Sequence, residues 1–151
     1  MKLAEALILR ADLQTRLEEL RQRMIANARV QEGEKPAEDP ENLLKELDGT
    51  TTKLEEMIAK INLTNANTMV EGVTLTEMLA KRESTMQKIS VMRSLLDTAS
   101  NVVIRGSRTE VKILSTVSVA DLRKETDQLS EALRKLDTKI QSLNWTTELQ
   151  L

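Results

Sequence analysis

Arg105, Arg108 and Lys112 form the one basic cluster in this chain whose spacing suits an anionic partner. Cations on a protruding β-ribbon can meet phosphates, anionic lipid or an acidic protein face. Glu110 stands among them and no aromatic residue interleaves to stack on bases, so nucleic acid is not an expected partner. The same residues also suit a solvated hairpin whose charged edge discourages sheet-to-sheet association.

Other reactive chemistry is scarce. The chain has no histidine and no cysteine, which removes the usual general base, the commonest metal ligand, thiol nucleophiles and disulfides. Glu18-Glu19 and Glu55-Glu56 are adjacent pairs, and neighbours on a helix point about 100° apart, so neither pair makes a facing acid/base dyad. Carboxylates from different helices are the remaining route to a metal-dependent enzyme, but the Glu-x-x-His pairs of di-iron bundles need histidine. No phosphate-cradling glycine loop or dinucleotide fingerprint is present. The residues therefore assign no catalytic, cofactor-binding or metal site, and no cofactor is expected.

The elements that carry these residues are helical by composition. Aromatics contribute 1% of the chain, all of it Trp145, so a core must come from Leu, Ile, Val, Met and Ala. Unbranched side chains lose little rotamer freedom in a helix, whereas a pleated surface favours aromatic and β-branched residues. At 151 residues, with 22 basic and 24 acidic side chains and a net charge of −2, the chain reads as a single helical domain over 1–151, without a global polycationic or polyanionic character. Met1–Leu9 contains Glu5 and lacks the apolar run of a signal peptide. No stretch approaches the roughly 18 apolar residues of a membrane helix, so the cytoplasm is the expected compartment.

Periodicity places four helices, roughly over 2–30, 40–63, 75–100 and 119–144. The first stripe is Leu3, Ala6, Arg10, Leu13, Leu17, Leu20 and Met24; the second is Leu43, Leu47, Thr51, Leu54, Ile58 and Ile61. The third uses Leu75, Met78, Leu79, Met86, Ile89, Met92 and Leu96, bordered by Arg82 and Arg93. The fourth runs unbroken through Val119, Leu122, Thr126, Leu129, Leu133, Leu136, Ile140 and Leu143, with Trp145 as a late packing residue. Arg10, Thr51 and Thr126 interrupt the stripes. A buried arginine would need acceptors, but at a stripe's edge its stem packs while its head stays wet.

Between helices, Gly33 and Pro36 break the chain, and Asp39-Pro40-Glu41 restarts it with a capping carboxylate and a proline at the first helical position. Glu71-Gly72 lies in a connector that can hold two-residue extended pieces, and Thr74 with Glu77 has the spacing of a capping box. Val102–Ile104 and Val111–Leu114 flank Gly106-Ser107-Arg108, which predicts a β-hairpin over 101–117. The fold class is thus mainly α: a long-helix antiparallel bundle or coiled coil with a small β-hairpin insertion before the last helix.

The segments Gln31–Pro40, Ile61–Asn65, Thr74–Glu77, Asn144–Thr147 and Arg108–Val117 resemble a bacterial family of small helical proteins labelled septicolysin. That resemblance implies a helical protein, with a cytolytic activity suggested by the label and no catalytic or ligand residues to carry over. From the residues themselves the expected function is a self-associating structural or interaction protein. Its partners are other copies of the chain or an unidentified protein, and membrane-active lysis is the alternative.

Overall fold

The computed structural model describes residues 1–101 and 111–150. Its helices are α1 (Leu3–Ala26), α2 (Pro40–Asn67), α3 (Leu75–Ser100) and α4 (Val119–Thr146); strands β1 (Met69–Val70) and β2 (Val73–Thr74) link α2 to α3. The chain divides into two compact units, Met1–Thr74 with Ser142–Leu151, and Leu75–Gln141. The protein is mainly α with one small antiparallel hairpin among the described residues.

In the first unit α1 and α2 form an antiparallel helical hairpin. Leu3, Ala6, Leu13 and Leu20 of α1 are buried, with Leu17 and Met24 half-buried in the same three-four stripe. On α2 the facing positions are Leu43, Leu47, Thr50, Leu54, Met57, Ile61 and Thr64. This corrects the expected stripe at two places: Thr51 is exposed and Ile58 largely so, while Thr50 and Met57 take the inward positions. Two stripes run side by side along α2, one residue apart, and a three-four count can step between them. Thr50 and Gly49 share a crevice with Leu13 and Arg16, where small side chains make room for α1.

Buried threonines normally weaken a helix, yet each donates its hydroxyl to the carbonyl four residues back. Thr50 reaches Glu46 O, Thr64 reaches Lys60 O and Thr126 reaches Leu122 O, all at 2.7 Å. That internal satisfaction lets α2 run to Asn67, past the stop expected near residue 63 from its Asn and Thr content. Thr64 then uses its remaining capacity to accept Gln150 N–H at 2.9 Å. The terminal segments close over this point: Leu3 N donates to Thr147 O, Leu149 N donates to Met1 O, and Lys2 Nζ lies 2.6 Å from Glu148 Oε1. Thr64→Val keeps the shape and removes the acceptor. Because Gln150 is only half-buried and water can reach part of it, the expected loss is about 1 kcal/mol, read by urea unfolding.

α1 ends at Ala26 rather than near residue 30 because Asn27 turns the chain. Its Nδ2 donates to Arg23 O at 2.8 Å and its Oδ1 accepts Glu38 N–H at 2.9 Å. α2 starts as expected, with Asp39 accepting from Glu41 N and Pro40 at the first helical position. Arg23 grips Glu38 through two nitrogens, Nε at 3.1 Å and Nη2 at 2.6 Å, and Arg16 holds Glu46 at 2.7 Å.

These partners hold both carboxyls below their ordinary range, Glu38 through hydrogen bonding from Arg23 and Glu46 first through Arg16, with desolvation opposing in each case. A folded-state pKa below the unfolded one stabilises the fold above the unfolded value and loses that contribution as pH falls through the folded value. Stability is therefore expected to decline as pH drops below the ordinary 4.5. Glu38→Gln should flatten that slope in unfolding measured across pH, and salt should shrink it because the pairs are only partly buried.

The β1–β2 hairpin pairs Met69 with Thr74 and Val70 with Val73. Glu71 and Gly72 both have positive φ, 55° and 80°, the signature of a tight two-residue turn, and glycine serves the second position without strain.

In the second unit α3 and α4 form another antiparallel helical hairpin, tied by Arg82–Asp137 at 3.7 Å and Lys88–Glu125 at 4.0 Å. The α4 stripe is the expected one, and Ser118 caps the helix by accepting Asp121 N–H at 3.3 Å. The α3 stripe is corrected: Arg82 and Thr85 are half-buried within it, whereas Met86 is 52% exposed. Of the hairpin expected over 101–117, residues 102–110 lie outside the described residues, and 111–115 are not in a strand.

Candidate functional site

Of the expected basic cluster, Arg105 and Arg108 lie outside the described residues, and Lys112 is exposed beside the exposed Val111, Ile113 and Leu114. Trp145 is 57% exposed and so is not the packing residue expected; Asn144 and Ile140 are the buried residues there.

The described residues instead converge on a groove of about 590 Å³ in the second unit. Ile89 and Leu133 form its floor from the facing seams, and Met86 adds an exposed apolar wall. Ser90, Arg93, Ser94 and Asp97 line it from α3, Ser130 and Arg134 from α4. The groove exists because short serines stand beside the seam where longer side chains would cover Ile89 and Leu133.

Its polar chemistry is biased towards anions. Arg93 and Arg134 are exposed, one on each helix, and neither makes an ion pair among the described residues. Asp97 supplies one opposing charge and accepts from Asn101 Nδ2 at 3.3 Å. Ser94 and Ser130 donate to Ser90 O and Thr126 O, which leaves their oxygens free to accept. Apolar floor, two guanidinia and short hydroxyls suit an amphipathic acidic surface. They supply no nucleophile with an adjacent base.

A second pair of arginines occupies the seams. Among the described residues, Nε of Arg10 and of Arg82 is buried without a hydrogen-bond partner. The sequence holds a signal for this that stripe counting passes over: Leu3, Glu5, Leu7 and Arg10 recur with identical spacing as Leu75, Glu77, Leu79 and Arg82. Each helical hairpin therefore begins with the same pattern and sets an arginine at the same point of its seam. Polar residues at such positions fix register at a cost in stability.

The fold and its seams define a mainly α protein of two antiparallel helical hairpins, with Arg10 in the seam of one and Arg82 in the seam of the other. The chain belongs to DUF6847, a family of unknown function, whose pattern matches residues 10–149. It is similar along 99% of both chains, with 40% identity and a TM-score of 0.91, to the crystal structure of a functionally unknown conserved protein from Corynebacterium diphtheriae. No curated protein matches it. Among the described residues no helix is long and apolar enough to cross a membrane, and no group of three or more acidic side chains is placed to hold a metal ion.

Proposed function

We propose that this protein works by association, as a structural or interaction protein of the cytoplasm that binds further copies of itself through helix faces. The observation that carries the reading is apolar surface left over after each helical hairpin has closed. Leu44, Ile58 and Leu63 on α2, and Met86, Val91 and Leu95 on α3, are all exposed while their own seams are filled. Apolar side chains left exposed beside a completed seam are what a further helix covers.

Light scattering over a concentration series tests this. A mass that is a multiple of 17.0 kDa is expected, and a 17.0 kDa species at every concentration would remove the reading. The membrane-active alternative has the septicolysin resemblance and the exposed Val111, Ile113 and Leu114 behind it. It requires dye release from neutral or anionic vesicles, and its absence would leave association alone.

A further inference from the structure

We infer that the outer stripe of α2 in one copy docks into the α3–α4 groove of a second copy, with Asp48 and Glu55 opposite Arg93 and Arg134. This rests on the self-association proposed above and names its two surfaces. α2 carries two parallel three-four stripes. The first, Leu43 to Thr64, faces α1; the second, one residue on, is Leu44, Asp48, Thr51, Glu55, Ile58 and Asn62. These six are exposed, Leu44 at 49% and Ile58 at 37%, and Asn65 one turn further on is half-buried. A helix with two adjacent seams is built to touch two neighbours, and α1 fills only one of them.

The chemistry of the second stripe selects its partner. It is apolar at Leu44 and Ile58 and acidic between them, with the lysines of α2, Lys45, Lys53 and Lys60, placed on other faces by their spacing. Asp48 and Glu55 are two turns apart, about 10.5 Å along the axis, and neither makes an ion pair among the described residues. The groove is the complement: apolar at Ile89, Leu133 and Met86, with a guanidinium on each wall that makes no ion pair among the described residues. Charge pairs of this kind set which faces meet and in what register, while the covered apolar side chains supply affinity. Asp97 in the groove discourages an acidic residue from docking at its own end, which gives the contact a direction.

Two variants test this, D48K/E55K and R93E/R134E. All four positions are exposed on helices, and retained helicity by circular dichroism identifies properly folded material. Each variant alone sets like charges against each other and is expected to run as a 17.0 kDa monomer at concentrations where the unaltered chain is an oligomer. Mixed in equal amounts they restore opposite charges at every contact, so the oligomer is expected to return. If the unaltered chain oligomerises and both variants do so equally well, this assignment of surfaces is overturned and self-association stands. Variants that dissociate but fail to recombine on mixing overturn the pairing of these two faces. A monomeric unaltered chain overturns both proposals.

Discussion

Leu20→Ala is expected to lower the free energy of unfolding by about 3 kcal/mol, the usual cost of a large-to-small change at a site that cannot collapse. Leu20 is 0% exposed in the α1–α2 seam. The backbone around it is held by Arg16–Glu46 and Arg23–Glu38, and by Asn27 bridging Arg23 O and Glu38 N, so α1 has little freedom to shift into the space. Since domains of this size are stable by only about 5–15 kcal/mol, the change should move the urea midpoint markedly while leaving the slope unaltered. A loss below 1 kcal/mol would mean that the seam closes up around the gap, and that the ion pairs do not fix the helix spacing.

Arg82→Met is expected to act in the opposite direction and raise stability by about 1 kcal/mol. Methionine keeps the unbranched stem that packs in the α3 seam and removes an Nε that is buried without a partner among the described residues, a group whose desolvation costs about 1–3 kcal/mol. The lost Asp137 contact is long, at 3.7 Å, and partly exposed, so it offsets little of this. Thermal unfolding of the variant measures the gain. If stability falls instead, the arginine contributes more through its charged head than it loses at Nε, and its place in the seam is stabilising rather than register-setting. Arg10→Met provides the same comparison in the first helical hairpin, where the arginine has the same unpartnered Nε.

The helices were legible because their signals are local. Asp39-Pro40 at the start of α2, the Ser118 cap and the unbroken α4 stripe act within a few residues of one another. What stripe counting misplaced came from neighbours in space. Thr50 and Thr51 are equivalent by composition, and only the approach of α1 decides which is inside. Thr64 reads as a helix stop until its hydroxyl is seen to bond backward within the helix and to receive Gln150. Met86 looks like seam material, but the heptad spacing that joins Met78 to Ile89 passes through Arg82 and Thr85, polar residues that an apolar count skips.

The groove was less legible than the helices that form it. Arg93 borders its stripe in the sequence, yet nothing in α3 alone reveals that Ser130 on α4 leaves the floor of the groove open. The outer stripe of α2 is partly visible in the sequence through Thr51 and Ile58, which three-four counting places in the inner seam. Once the inner seam is assigned, the outer one follows from it by a shift of one residue.

Methionine oxidation tests most directly whether these outward faces are covered in the working protein. Met86 in the groove and Met69 on β1 are both exposed, whereas Met78 and Met92 are buried and serve as internal controls. Peroxide modification of each site, followed by peptide mass spectrometry across a protein concentration series, reads the accessibility of each thioether. Covered faces are expected to slow oxidation of Met86 as concentration rises, while Met69 keeps its rate. Met86 oxidising at one unchanging rate from the most dilute to the most concentrated sample would contradict association through this groove.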